Sequence, residues 1–240
     1  MIRQYLLAVC FLLLLGQPSA AGGKLVISTQ AIPPYSTENG TGFYDTLYPE
    51  IGRRTGLEIT VVQQPDRRSL QLTNSGINDG DGPRLPGLEQ QFPDLIRVEE
   101  PILHAELVAF TRKGTRVKSW GDLANRFAAV PKGWRLPRGK IPVSMRLTTV
   151  ISTHSSMAML STGRIDAALT LPAMGRHEID KHGYRNINLE PAILDERLLY
   201  LYMHKKHAPL VPAIDEAIKA IKADGTWDRL FKQAIAQTDK

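Results

Sequence analysis

The hydrophobic and polar positions of this chain change period several times, and each change marks an element. Lys24 to Thr29 and Leu57 to Val62 are short apolar, β-branched runs of the kind that form buried strands. Between them Leu47 and Ile51 stand four apart, the spacing of one helix face. Asp45 or Thr46 can serve as N-cap, Pro49 suits the first turn, and Gly56 ends the helix. Strand, helix and strand in this order predict a parallel, right-handed βαβ unit. Its loop, Gln30 to Tyr44, then falls at the carboxyl end of the first strand, where open α/β sheets bind ligands.

The pattern continues with a short helix capped by Asp66 and stopped at Gly76, and with a polar, glycine-rich turn, INDGDGPR. Leu95 to Val98 and Glu106 to Thr111 are expected strands. The apolar pattern breaks with RKGT at Arg112 to Thr115, and a second α/β run starts at Val117. It holds a strand at Phe127 to Val130, the loop PKGWRLPRGK, a helix from about Ser152 to Leu160, the strand RIDAALT and a helix from Pro172 to Lys181. An apolar strand follows at Arg197 to Met203. Next comes a long helix with Leu210, Ile214, Ile218 and Ile221 on one face, broken at Asp224-Gly225. A last helix opened by Thr226 carries Trp227, Leu230, Phe231 and Ile235.

Residues 1 to 21 combine one cation, Arg3, with the uncharged apolar run Tyr5 to Leu15 and the small residues Ser19, Ala20 and Ala21. This is the layout of a cleaved secretory signal peptide, so a mature chain from about Gly22 in the periplasm is expected. The run is shorter than the roughly 20 apolar residues of a membrane span, and no insertion into a membrane is expected after its removal. Cys10, the one cysteine, lies within this segment, which leaves the mature chain without disulfide or thiolate chemistry. The net charge of +6 becomes about +5 without Arg3 and is spread along the chain. No basic stripe with interleaved aromatics argues for nucleic acid. The six histidines show no HExxH or other metal spacing, and His177 and His182 do not share a helix face; neither metal nor cofactor is expected.

The segments PPYSTENGTGF, VEEPILHAELVAFTRKG, SWGDLANRFAAVPKG, MLSTGRIDAALT and YLYMHKKHAPLVPAIDEAIKAIKADGTWDRLFKQAI, in this order, resemble the bacterial periplasmic solute-binding proteins of family three, the polar amino-acid type of ABC transporters. The resemblance spans the mature chain and implies a two-lobe α/β fold of the type II periplasmic-binding-protein class. Each lobe would be a mixed sheet flanked by helices, the two joined by hinge strands. Residues 24–112 with 202–240 would form lobe one, and residues 113–201 lobe two. AELVAFTRKG and LLYLYMHKK would be the crossings.

Several positions depart from that pattern, in the manner of a divergent branch. The aspartate that holds a ligand ammonium falls at about Leu171, Tyr44 stands where relatives open the first helix with an acid, and T-x-x-E-R is replaced by NDGDGPRLPGLEQQFPDLIRV. The candidate ligand residues are therefore Tyr35, Tyr44, Asp81 and Arg84 in lobe one and Trp134, Arg135 and Thr153 in lobe two. Tyr35 and Trp134 offer rings for stacking, though each can instead pack behind its own lobe. An arginine can grip a carboxylate or phosphate through two parallel hydrogen bonds, and Thr153 opens a helix whose free amides favour an anion. The function implied is non-catalytic capture of a small polar, anionic solute by a monomer that delivers it to an ABC transporter permease. A receptor reporting to a membrane sensor is the alternative. A lyase or dehydratase on this fold would need a cleft acid or base, for which Glu38, Asp45, Asp81 and His154 are available.

Overall fold

The computed structural model describes residues 23–134 and 136–237. The expected signal peptide, residues 1–21, and the candidate Arg135 lie outside the described residues. In chain order the elements are β1 (Lys24–Thr29), α1 (Phe43–Thr55), β2 (Glu58–Gln63), α2 (Asp66–Asn74), β3 (Gly80–Arg84), β4 (Leu95–Arg97) and β5 (Leu103–Arg112). They continue with β6 (Phe127–Pro131), β7 (Arg146–Val150), α3 (Thr153–Ser161), β8 (Ala167–Thr170), α4 (Pro172–His182), β9 (Ile187–His204), α5 (Val211–Ala223) and α6 (Thr226–Gln237). The strands follow the order β2-β1-β3-β9-β5-β8-β6-β7, with β4 also paired to β9. β1 runs parallel to β2 and β3, and β6 parallel to β7 and β8. β9 is antiparallel to β3, β4 and β5. The result is the expected two-lobe mixed α/β architecture, two parallel βαβ sets joined through the long strands β5 and β9.

Each side has its own core. Alternate residues along β5 face opposite ways, as the strand period requires: Leu107 and Ala109 join Val130 and Leu169, while Val108 and Phe110 join Met157 and Leu160. On the β1 side, α1 and α5 bring Leu47, Ile51, Ile214, Ile218 and Ile221 onto Leu25 and Ile27. Trp227 and Phe231 of α6 close this core against Phe43, with ring centroids 4.9 and 5.3 Å away.

Four elements differ from the sequence expectation. α1 begins at Phe43, capped by Gly42. Asp45 is its third residue, and reaches back to accept from the Gly42 and Thr37 amides, each at 2.9 Å, and from the Ser36 hydroxyl at 2.6 Å. Glycine is required at the cap because a Cβ there would stand 2.6 Å from the Ser36 backbone. Pro49 consequently lies inside the helix. β9 starts at Ile187, and its charge-rich first half was not legible as a strand because much of it is exposed. The edge strand β7, Arg-Leu-Thr-Thr-Val, is likewise largely exposed and carries little apolar signal.

The largest difference is INDGDGPR, expected as a turn. Its residues Gly80 to Arg84 form β3, a central strand between β1 and β9. The glycines are there for closeness: a Cβ on Gly80 would meet Ile27 Cδ1 at 2.6 Å, Met203 Sδ at 2.8 Å and the Tyr202 carbonyl at 2.9 Å. Immediately before it, Asp79 accepts from the Val26 amide at 2.8 Å, from Lys206 Nζ at 2.8 Å and shares a hydrogen bond with His207 Nε2 at 2.6 Å. Burial alone would raise the Asp79 carboxyl, but the bonds from Lys206, His207 and Val26 outweigh it and hold the group below its ordinary range.

Gly80→Ala should overpack this contact and lower unfolding stability by about 1–3 kcal/mol, read by urea denaturation. Asp79 binds its proton less tightly folded than unfolded. Its contribution is therefore complete above the ordinary aspartate value of about 3.9 and is lost as pH falls through the lower folded value. Asp79→Asn should cost about 1.5–3 kcal/mol at neutral pH and flatten that acid limb, as measured by denaturation against pH.

Candidate functional site

Because β1, β2 and β3 are parallel, their carboxyl ends gather at one edge. Thr29 ends β1, Gln30 follows it, Asp66 opens α2 after β2, and Arg84 ends β3. Gln30 Nε2 donates to Asp66 Oδ1 at 2.8 Å. The Arg84 guanidinium is buried, its side chain 8% exposed, and donates through Nε to Asp81, through Nη1 to Asp66 and through Nη2 to Ser69 Oγ at 2.6 Å. Burial would lower its basicity, yet the carboxylates of Asp81 and Asp66 keep the charge firmly in place. Asp81 is fully buried and burial pushes its carboxyl up, against the pull of Arg84. Asp66, by contrast, is 57% exposed. Arg84 thus holds one buried counterion and one that is open to solvent.

Tyr35, Tyr44 and Tyr48 form a run of stacked rings, 5.7 Å between successive centroids, leading from the loop after β1 toward β3. All three are buried within the β1-side core. Burial raises each phenol, that of Tyr48 further through the Asp81 charge, so all three are neutral donors at physiological pH. The Tyr48 hydroxyl stands over β3, where a Cβ on Gly82 would come within 2.7 Å of it. Tyr44 Oη, Tyr48 Oη, Thr29 Oγ1 and Asp81 Oδ2 are buried without a protein hydrogen-bond partner among the described residues. Buried polar atoms are ordinarily paired, so these four leave unused hydrogen-bonding capacity in this region.

The second edge is built the same way from the carboxyl ends of β6, β7 and β8. Trp134 follows β6, Thr153 opens α3 behind the cap Ser152, and Leu171 caps α4 after β8. Ser152 Oγ accepts from the Ser155 amide at 3.1 Å, and the buried Thr153 hydroxyl lies 3.4 Å from that of Thr170. Leu171, Ala173 and Met174 belong to the same apolar cluster as Tyr35 and Tyr44, and Trp134 packs against that cluster and against the β6-side core. The two edges therefore meet, and the groups that meet are apolar. Open grooves lie elsewhere, one beside α1 lined by Glu38, Pro49, Val61 and Gln63, another by His104, Lys222 and Trp227.

Of the residues singled out from sequence, Asp81 and Arg84 are bonded to each other, Tyr35 and Tyr44 are stacked inside the core, and Trp134 reaches the cluster that contains them. Thr153 faces Thr170 within the second edge. Asp45 is committed to the start of α1. Sequence reasoning passed over Tyr48, although it lies one turn beyond Tyr44, and treated Asp66 only as a helix cap. It also passed over the group of metal-ligating side chains that the described residues bring together, His154, Glu178 and His182, which sits on α3 and α4 away from the Arg84 edge.

No family model matches the chain. A Shewanella oneidensis protein, described as uncharacterized, is 23% identical over 201 residues, covering 80% of this chain and 74% of that one. Among solved structures, an amino acid ABC transporter substrate-binding protein, AbpA from Streptococcus pneumoniae bound to L-arginine, superposes with a TM-score of 0.72 at 18% identity, over 91% of this chain and 97% of that one. A mutant of ArgBP from T. maritima gives 0.69 at 21% identity over 89% and 96%. The GluR0 ligand-binding core from Nostoc punctiforme, in complex with L-glutamate, gives 0.70 at 18% over 87% and 98%. Chain order, sheet topology and these superpositions agree: the protein has the two-lobe α/β fold of the substrate-binding proteins of amino-acid ABC transporters.

Proposed function

We propose that this chain is a periplasmic solute receptor that closes two lobes on a small polar solute carrying an anionic group, leaves it chemically unchanged, and delivers it to an ABC transporter. The lobes are residues 24–112 with 202–240 and residues 113–201. The observation that carries the reading is the meeting of the two strand-end edges, Trp134, Leu171, Ala173 and Met174 packing into the cluster that holds Tyr35 and Tyr44. Ligand favours such a closed arrangement only through contacts it makes there in addition to those of the open one.

Arg84 is the anchor for the anionic group in this reading. Its pairing with Asp81 is buried, whereas Asp66 is half exposed and offers a carboxylate where a solute carboxylate or phosphate would bind. Asp66 acts as a resident surrogate that the solute displaces. The unpartnered hydroxyls of Tyr44 and Tyr48 and the free oxygen of Asp81 then serve the solute's remaining polar groups. An α-amino acid is disfavoured because Leu171, the residue at the ammonium position of the resembling family, is buried and apolar.

Mass spectrometry of whatever leaves the purified protein on denaturation should recover a carboxylate or phosphate. The recovered compound should raise the melting temperature saturably, by the equivalent of about 2.7 kcal/mol at a hundred times its Kd. Asp66→Asn should keep the fold, since Asp66 is 57% exposed and Asp81 remains to pair the buried Arg84, and should tighten binding of that anion several-fold. Trp134→Ala should weaken it by about 2 kcal/mol. Arg84→Met should abolish binding, with a folding cost of about 3–5 kcal/mol from the orphaned Asp81. Recovery of a cation, or an unchanged affinity in both Asp66→Asn and Trp134→Ala, would refute the assignment.

A further inference from the structure

His154 lies in the first turn of α3, while Glu178 and His182 lie one turn apart on α4. Glu178 Oε2 is 3.0 Å from His154 Nδ1 and 3.3 Å from His182 Nε2, and the three donor atoms all fall within 4.8 Å of one another. We propose that these three side chains form a site for a divalent transition metal, zinc being the ion that they suit best.

The donor set is the first argument. Two imidazoles and one carboxylate, leaving a coordination position to water, make up a common three-residue zinc set. Calcium and magnesium prefer sets made entirely of oxygen, and the absence of thiolate removes the preference for softer ions. Distance is the second. Zinc–nitrogen bonds of about 2.0–2.1 Å and zinc–oxygen bonds of about 2.0–2.2 Å, opened to the tetrahedral angle, put ligand atoms roughly 3.3–3.4 Å apart. The separations from Glu178, 3.0 and 3.3 Å, are close to that edge length, and the two ring nitrogens, within 4.8 Å of each other, would close toward it on an ion.

The third argument is convergence. The imidazole rings of His154 and His182 are 4.3 Å apart between centroids and address the same carboxylate oxygen. A single divalent ion satisfies both ring nitrogens and the carboxylate together. The scaffold also prepares the geometry. Residues four apart on a helix are neighbours, His182 occupies the last turn of α4, where the helix dipole favours positive charge, and α3 is fixed at its start by the Ser152 cap. With His154 49% and His182 34% exposed, an ion and its water ligand have direct access, while Glu178, 13% exposed, forms the floor. The bound ion would fasten α3 to α4 beside Thr153, stiffening the second edge of the cleft.

The test uses the untagged purified protein and zinc chloride, with calorimetry for stoichiometry and affinity and cobalt as the spectroscopic substitute. The expected result is one zinc per chain, a tetrahedral cobalt spectrum, a rise in melting temperature reversed by chelator, and at least tenfold weaker binding in each of His154→Ala, His182→Ala and Glu178→Gln. Circular dichroism verifies that each variant folds, which the exposure of both histidines favours. Zinc affinity unchanged in the His154→Ala/His182→Ala double variant, no saturable binding below about 1 mM, or equal competition by magnesium would overturn the proposal.

Discussion

An uninterrupted eighteen-residue strand, β9, is the constraint on which the rest of this structure depends. From Ile187 to Leu199 it hydrogen-bonds to β5, and from Tyr200 to His204 it bonds to β3 and β4. A buried backbone amide or carbonyl left unpaired costs as much as a lost hydrogen bond, so the change of partner along one strand commits both parallel sets to a single continuous sheet path. Every other placement follows. β5 must run alongside, its alternating side chains feed cores on opposite faces, and the carboxyl ends of the two parallel sets come to face each other.

That arrangement explains why so polar a segment as β3 can stand in the middle of a sheet. Between β1 and β9 there is room for backbone but not for side chains at Gly80 and Gly82, and Asp81 is carried inward as a consequence. A buried carboxylate is tolerable only when paired, and Arg84, three residues on in the same strand, supplies the partner. The ion pair is therefore a product of the strand's narrowness, and it leaves an arginine at the carboxyl edge of the parallel strands with one buried and one half-exposed counterion. The aromatic run of Tyr35, Tyr44 and Tyr48 and the apolar residues of the opposite edge share one cluster, and a low-dielectric surrounding of that kind strengthens electrostatic interactions within it.

The histidine–glutamate cluster belongs to another level of organisation. It lies on the two helices that carry the second edge, so an ion bound there would act on the rigidity of that edge and leave the solute's own contacts alone. Surface chemistry of this kind depends on how two helices cross, and nothing in the spacing along either helix alone describes it.

Local pattern was enough for the elements whose chemistry is local. β1 begins and ends where its apolar run does, Gly56 ends α1 in the left-handed conformation at φ 71°, and α5 turns the face of Ile214, Ile218 and Ile221 inward. The two-lobe fold was also legible, through the resemblance carried by segments such as PPYSTENGTGF and MLSTGRIDAALT, while the alternation of strands and helices by itself supplied only the βαβ units. Tertiary structure alone decided the rest. INDGDGPR carries every mark of a turn, and becomes a strand because two flanking strands lend it their hydrogen bonds. Arg84, a candidate anion partner in the sequence, is placed in a buried pair, Tyr35 and Tyr44 are turned into core, and His154 is brought to Glu178 across the chain. In each case the deciding energy comes from groups distant in sequence: the desolvation of a charge, the closeness of two backbones, or the packing of two separate helices.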